Sequence, residues 1–195
     1  MDNYCCGYIA LVGRPNVGKS TLLNRVLGQK ISITSRRPQT TRHRVLGIKS
    51  LPTAQLIYVD TPGIHDFNGR AMNRHMNRTA SSVLQDVDVV VFLVDGLHWM
   101  ADDDLVLKKL GEIKSPVILA VNKIDLIGHR DELLPALQAL SEKYPFEQII
   151  PISAGKGDNV GELEAVIERL LPQAPPLFPA DQITDRPVRF LAAEL

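Results

Sequence analysis

Hydrophobic positions along the chain fall into two kinds of run. Short, nearly continuous apolar stretches occur at Tyr8–Val12, Val45–Ser50, Gln55–Val59, Val87–Val94, Pro116–Val121 and Gln148–Ile152. Runs of this length without apolar/polar alternation predict strands buried on both faces. Between them, apolar residues recur at helical spacing over about 18–27, 71–85, 102–113, 131–143 and 159–171. Strand and helix in alternation predict a parallel sheet whose crossover helices cover both faces. Only Leu51-Pro52-Thr53 separates the second strand from the third. That is too short for a crossover and predicts an antiparallel hairpin. The expected fold is therefore α/β, three-layered, with a six-stranded, mostly parallel sheet, one antiparallel strand and helices on both faces. Residues 30–44 are polar, basic and unpatterned, and read as a long loop. From Leu171 the chain turns proline-rich (LPQAPPLFPAD). The expected organisation is a compact domain over 1–171 and a Pro-rich linker over 172–195.

Composition narrows the class. The 195 residues are 45% hydrophobic and 23% charged, as expected of one ordinary globular domain. This excludes a disordered chain, a collagen-like chain and a disulfide scaffold. The apolar run Val89–Val94 is far short of the roughly 20 residues that span a bilayer. The first residues, Met1 to Tyr4, lack the basic and apolar regions of a secretory signal. Cys5 and Cys6 are adjacent and suggest no stapling framework, so a reducing cytoplasm is the expected location. The formal net charge of zero hides a polarised distribution. Between Asp2 and Asp60 there are nine basic residues and no acidic one. An acid-free segment of this kind is expected to face polyphosphate or nucleic acid.

The chemistry sits in the turns after the strands. Gly13-Arg14-Pro15-Asn16-Val17-Gly18-Lys19-Ser20, followed by Thr21, fits G-x-x-x-x-G-K-[ST] between a strand and a helix. Its glycines let backbone N–H groups surround phosphates at a helix N-terminus. Lys19 is expected on the β/γ-phosphates and the Ser20 hydroxyl on Mg²⁺. Asp60-Thr61-Pro62-Gly63 follows the third strand directly. Its carboxylate suits Mg²⁺, and Gly63 permits a backbone N–H to approach the γ-phosphate. Asn122-Lys123-Ile124-Asp125 follows the fifth strand. Asp125 can accept both parallel donors of guanine, whereas adenine would leave a buried carboxylate unpaired. The Lys123 stem is expected to cover the base and Asn122 to brace neighbouring loops. Ser153-Ala154-Gly155 after the last strand offers small residues whose N–H groups suit guanine O6. In the basic loop, Thr40 and Thr41 are candidates for a second Mg²⁺-ligating hydroxyl that engages only with a γ-phosphate, with Thr41 preferred.

Phosphate loop, loop threonine, DTPG, NKxD and SA occur in the order of the translation-factor-like GTP-binding proteins. GRPNVGKSTLLN, the TTR at 40–42 and DTPG before an apolar residue resemble the bacterial TrmE–Era–EngA group. KISITSRRPQTTRHRVLGI (30–48) and FPADQITDRPVRFLAAEL (178–195) resemble its Era family. The resemblance covers essentially the whole chain. It implies a P-loop NTPase G domain that binds GTP and GDP with Mg²⁺ and hydrolyses GTP. It implies a role in assembly of the 30S ribosomal subunit and maturation of its 16S rRNA. It further implies a monomer, and peripheral contact with the inner face of the cell membrane. RNA binding in that family runs through a C-terminal KH domain. No GXXG clamp follows residue 171, so direct RNA binding is not expected of residues 1–195. The resemblance also places Asn16 at a position that holds an activating K⁺ in related members.

The residue after the DTPG glycine, Ile64, can neither donate nor accept a hydrogen bond, where many GTPases carry a water-orienting glutamine. Slow intrinsic turnover is expected, with Lys19, Asn16, Thr41 and Gly63 around the reacting phosphate. Asp102-Asp103-Asp104 reads as a solvated face at a helix start, where carboxylates suit the dipole. Two other readings stay open: an ATP-using P-loop enzyme, and a nucleotide-gated binding module that does not hydrolyse.

Overall fold

Strands that are apolar on both sides need cover on both sides, and this requirement organises the molecule. The computed structural model describes residues 4–31, 45–60, 86–96, 98–128 and 130–185. Its strands are β1 (Cys5–Val12), β2 (Val45–Ser50), β3 (Ala54–Asp60), β4 (Val89–Asp95), β5 (Val117–Asn122) and β6 (Gln148–Pro151). Its helices are α1 (Lys19–Leu27), α2 (Ala101–Leu110), α3 (Leu133–Ser141) and α4 (Val160–Leu170). The strands form one sheet in the order β2-β3-β1-β4-β5-β6. Every neighbouring pair is parallel except β2 with β3. The expected α/β architecture, including its hairpin, is the one observed. The helix expected over 71–85 lies outside the described residues.

Alternate residues of β4 enter different cores. Val89, Val91 and Leu93 pack with Leu22, Leu23 and Val26 of α1 and Leu163, Val166 and Ile167 of α4. Val90, Phe92 and Val94 pack with Val106 and Leu110 of α2 and Leu140 of α3. Sequence, pleat and layers agree, because a strand covered on both sides has no polar face to expose.

The Pro-rich segment departs from its expected course as a linker. Residues 172–185 run back over the end of the sheet away from the strand C-termini. Cys6 N–H donates to Pro172 O (3.1 Å), and Ala174 N–H to Tyr4 O (3.1 Å). Ile48 N–H donates to Ile183 O (2.7 Å), and Thr184 bridges Gly47 on the outer edge of β2. Gln55, fully buried in β3, serves as an anchor. Its Oε1 accepts from Leu177 N–H (2.8 Å) and Phe178 N–H (3.0 Å), and its Nε2 donates to Phe178 O (2.9 Å). Prolines cannot donate to a ladder, but their carbonyls still accept, and the Gln55 amide supplies the missing pairing. An apolar cavity of about 860 Å³ lies between this segment and the β2–β3 turn, walled by Tyr4, Leu51, Pro175 and Phe178.

Candidate functional site

Parallel strands end on one side of the sheet, where the C-terminal end of β3 at Asp60 meets the loops after β1, β5 and β6. This is where α/β folds place ligands. The loop between β1 and α1 starts at Gly13 (φ 147°) and closes at Gly18 (φ 108°). Neither position tolerates a side chain. A Cβ on Gly13 would meet Leu93 O at 2.4 Å, and one on Gly18 would meet Asn122 Nδ2 at 2.2 Å. Val17 is fully buried beneath the loop, whereas Asn16 stands exposed at its tip in the left-handed region (φ 64°). Pro15 is half-buried in the turn, and Thr21 is half-buried on the first turn of α1.

Lys19 is only 7% exposed. Its ammonium donates to the carbonyls of Gly13 and Arg14, both at 2.9 Å. Burial depresses its pKa to about 8, partly offset by the Asp60 carboxylate and reinforced by the Arg14 charge. A buried cation held at the mouth of a loop of backbone N–H groups is arranged to receive an oxyanion. On the next residue, the Ser20 hydroxyl donates to Asp60 Oδ2 at 3.1 Å. Asp60, at the end of β3, is fully buried. A hydroxyl beside a buried carboxylate gives two hard oxygen donors, a set that fits Mg²⁺. Among the described residues no group of three or more His, Cys, Asp or Glu clusters as a metal site. Thr61, Pro62, Gly63, Ile64 and Thr41 lie outside the described residues, as do Arg36, Arg37, Arg42 and Arg44.

At the other end of the cleft Asn122 joins three loops. It is 2% exposed. Its Nδ2 donates to Val17 O (2.7 Å), and its Oδ1 accepts from Ala154 N–H (2.9 Å). Ala154 N–H, expected to face a base, is thus engaged by Asn122 here. Lys123 adopts positive φ (65°) and donates from Nζ to Asp95 Oδ2 at 2.7 Å. Ile124 opens the short 3-10 turn Ile124–Leu126, and its N–H donates to Ile152 O (3.2 Å). Asp125 sits in that turn, and its Oδ1 accepts the Ser153 hydroxyl at 2.7 Å. Asn122 thus bonds the phosphate loop to the turn at Ala154, next to the Ser153 that holds Asp125.

Several participants escaped the reading of the sequence. Asp103 is fully buried rather than on a solvated face. Its Oδ2 accepts Met100 N–H (3.0 Å) and Arg14 Nε (3.2 Å). Burial raises its pKa, against the lowering by Met100 and Arg14. Arg14 also faces Asp95 at 3.8 Å, so Asp95 stands between the phosphate-loop arginine and Lys123. Arg25 of α1 reaches the carbonyls of Ala154 and Gly155. Lys49 pairs with Glu164 of α4 at 2.5 Å. Arg14, Arg25 and Lys49, three of the nine basic residues of the segment expected to face polyphosphate or nucleic acid, thus spend their charge on the protein. The acidic partners are remote in sequence, and no local pattern announces them.

Comparison with known proteins follows this geometry. The family described as "50S ribosome-binding GTPase" matches residues 8–123. The chain is 57% identical over 194 residues to GTPase Era of Haemophilus influenzae, covering 100% of this chain and 64% of that protein. It is 60% identical over 190 residues to GTPase Era of Marinobacter nauticus, covering 97% and 62%. The chain thus spans less than two thirds of the curated relatives it matches. Among solved structures, Era in complex with MgGDPNP and nucleotides 1506–1542 of 16S ribosomal RNA superposes with a TM-score of 0.92. That pair shares 44% identity over 98% of this chain and 65% of the other. A point variant of Aquifex aeolicus Era bound to GDP and aluminium fluoride gives a TM-score of 0.91 at 45% identity, covering 97% and 65%.

Proposed function

Because this chain belongs to the family of 50S ribosome-binding GTPases, we propose that its cleft binds GTP and GDP and hydrolyses GTP as a molecular switch. The observation that carries the reading is Asn122. Its amide ties the phosphate loop at Val17 to the loop at Ala154, with Asp125 held beside it by Ser153. A site built so that base and phosphate loops share one side chain suits a nucleotide whose base is read by Asp125.

In this reading the loop N–H groups of 13–18 and the Lys19 ammonium take the β/γ-phosphates. Ser20 and Asp60 hold Mg²⁺, which supplies charge stabilisation to the phosphates when bound. Thr41 would add its hydroxyl and Gly63 its N–H once a γ-phosphate is present, with Thr61, Pro62 and Ile64 completing that turn. Lys123 covers the base plane, Asp125 accepts guanine N1–H and the 2-amino group, and the Ser153–Ala154 turn closes over O6. Transition-state stabilisation then comes from fixed donors around the transferred phosphoryl group, in place of a general base at Ile64. The Asn16 amide oxygen is a fitting donor for K⁺ at the exposed tip of the loop, and GTPase rates in K⁺ and Na⁺ buffers test it. Equal rates would refute it.

The relatives support the wider role. One Era structure holds a guanine nucleotide, Mg²⁺ and 16S rRNA together. We assign this chain to the same switch in 16S rRNA and 30S subunit maturation, in the cytoplasm. Residues 1–171 act as the G domain, and 172–185 pack back against its sheet. Among the described residues no helix is long and apolar enough to cross a membrane. Peripheral contact with the inner membrane face is part of the same proposal. The enzymatic claim is tested by single-turnover phosphate release with Mg²⁺. Release from GTP but not ATP is expected, and absence of release from GTP would reduce the protein to a binding module.

A further inference from the structure

Arg25 lies in the last turn of α1, away from the phosphate loop that α1 follows, and it is exposed. Its guanidinium nevertheless is committed. Nε donates to Ala154 O at 3.1 Å, and Nη2 donates to Gly155 O. The turn it grips is also closed by Ser153 N–H to Asp158 O (3.0 Å) and Gly157 N–H to Ser153 O (2.6 Å), neither of which uses the carbonyls of Ala154 and Gly155. Gly157 adopts positive φ (96°), and a Cβ there would make only an ordinary 3.8 Å contact with the Arg25 side chain. Within the turn, Ser153 Oγ accepts Lys156 N–H (3.1 Å) and donates to Asp125 Oδ1. Ala154 N–H, on the residue whose carbonyl Arg25 holds, fixes Asn122. Gly155 brings no side chain to restrain the loop, and a Cβ there would meet nothing within 4 Å.

We infer that Arg25 is a specificity-determining positioning residue: by clamping the carbonyls of Ala154 and Gly155 it fixes the turn through which Ser153 aims the Asp125 carboxylate at the base. This rests on the reading of the cleft as a guanine site. The physical argument is one of alignment. Asp125 discriminates only if both its oxygens meet two parallel donors, N1–H and the 2-amino group. One bond to a base tolerates a rotated carboxylate, and two do not. The rigid fork of arginine holds two adjacent carbonyls at once, which a lysine ammonium on a flexible stem does less well. Arg25 acts through the carbonyls of Ala154 and Gly155. Its effect appears in the choice of base, with phosphate binding left to the loop at the other end of α1.

The test compares GDP with IDP, which keeps N1–H and lacks the 2-amino group, on the full 195-residue chain and its Arg25→Met and Arg25→Lys variants. Methionine keeps an apolar stem on an exposed helix position, and thermal melting verifies folding. In the parent chain GDP is expected to bind about tenfold or more tighter than IDP. In Arg25→Met that preference is expected to shrink about threefold or more, with GDP losing affinity and IDP nearly unchanged. Arg25→Lys is expected to recover part of the preference. An unchanged GDP/IDP ratio in folded Arg25→Met, including equal weakening of both nucleotides, would overturn the assignment. A parent chain without preference for GDP over IDP would instead overturn the guanine reading beneath it.

Discussion

Replacing Asn122 by alanine removes one side chain and leaves two backbone groups without a partner. Val17 O loses a 2.7 Å donor, and Ala154 N–H loses a 2.9 Å acceptor. Both bonds are buried and Asn122 is 2% exposed, so water cannot substitute without opening the cleft. An unsatisfied buried polar group costs about 1–3 kcal/mol, which puts the total for two at roughly 2–6 kcal/mol. For a domain of this size each kcal/mol moves Tm by about 2–4 °C, so nucleotide-free Asn122→Ala should melt about 4–24 °C below the parent. Separation of the base loops from the phosphate loop should also weaken GDP, by about 10- to 100-fold, if roughly half of that cost is paid again on binding. Differential scanning calorimetry without nucleotide and a GDP titration read the two effects separately. A Tm within 2 °C of the parent and a Kd within about twofold would refute the view that Asn122 joins the two halves of the site.

Three further outcomes follow from the same geometry. Lys19 has a pKa of about 8 in the nucleotide-free protein. Phosphates favour its charged form, so GDP affinity should be flat below about pH 7 and fall toward tenfold per unit above 8. Calorimetry at pH 8 in buffers of different ionisation heat should detect uptake of about half a proton per GDP, and no uptake contradicts it. Because the unfolded lysine keeps its proton to about pH 10.4, the Lys19 contribution to nucleotide-free stability should rise with pH between about 8 and 10.4; a fall contributed by Lys19, isolated against Lys19→Met, would contradict the sign. Gly18→Ala places a Cβ 2.2 Å from Asn122 Nδ2 at a φ of 108°, and should weaken GDP at least about tenfold in a binding titration. Gln55→Ala frees three bonds to residues 177–178, and should expose 172–185 to limited proteolysis while GDP affinity stays within about twofold.

Much of the fold was legible because burial on both faces writes itself as continuous apolar runs. Strand β4, apolar from Val89 to Val94, is the plain case, and the brevity of Leu51-Pro52-Thr53 foretold the hairpin. The candidate site was legible where one short motif holds its own geometry, as in the loop from Gly13 to Ser20. It was not legible where a side chain works at long range. Asp103 looked like one of three solvent-facing carboxylates, and only the fold brings Arg14 to it. Arg25 looked like one more basic residue near phosphates, yet it serves the opposite end of the cleft. The Pro-rich segment read as a linker because proline cannot pair in a ladder. The contrary signal was Gln55, a lone amide in a strand buried at every position, whose hydrogen bonds had to go somewhere.

The central claim is that Asp125, held by Ser153, makes this cleft a guanine site. Calorimetric titration of the parent chain and of Asp125→Asn with GDP, ADP and XDP tests it most directly. The parent should bind GDP at least about 100-fold tighter than ADP, and Asp125→Asn should lose GDP while gaining XDP, whose base carries an oxygen where guanine carries the 2-amino group. Equal affinity of the parent for GDP and ADP, or an Asp125→Asn variant that binds GDP as the parent does, would contradict it.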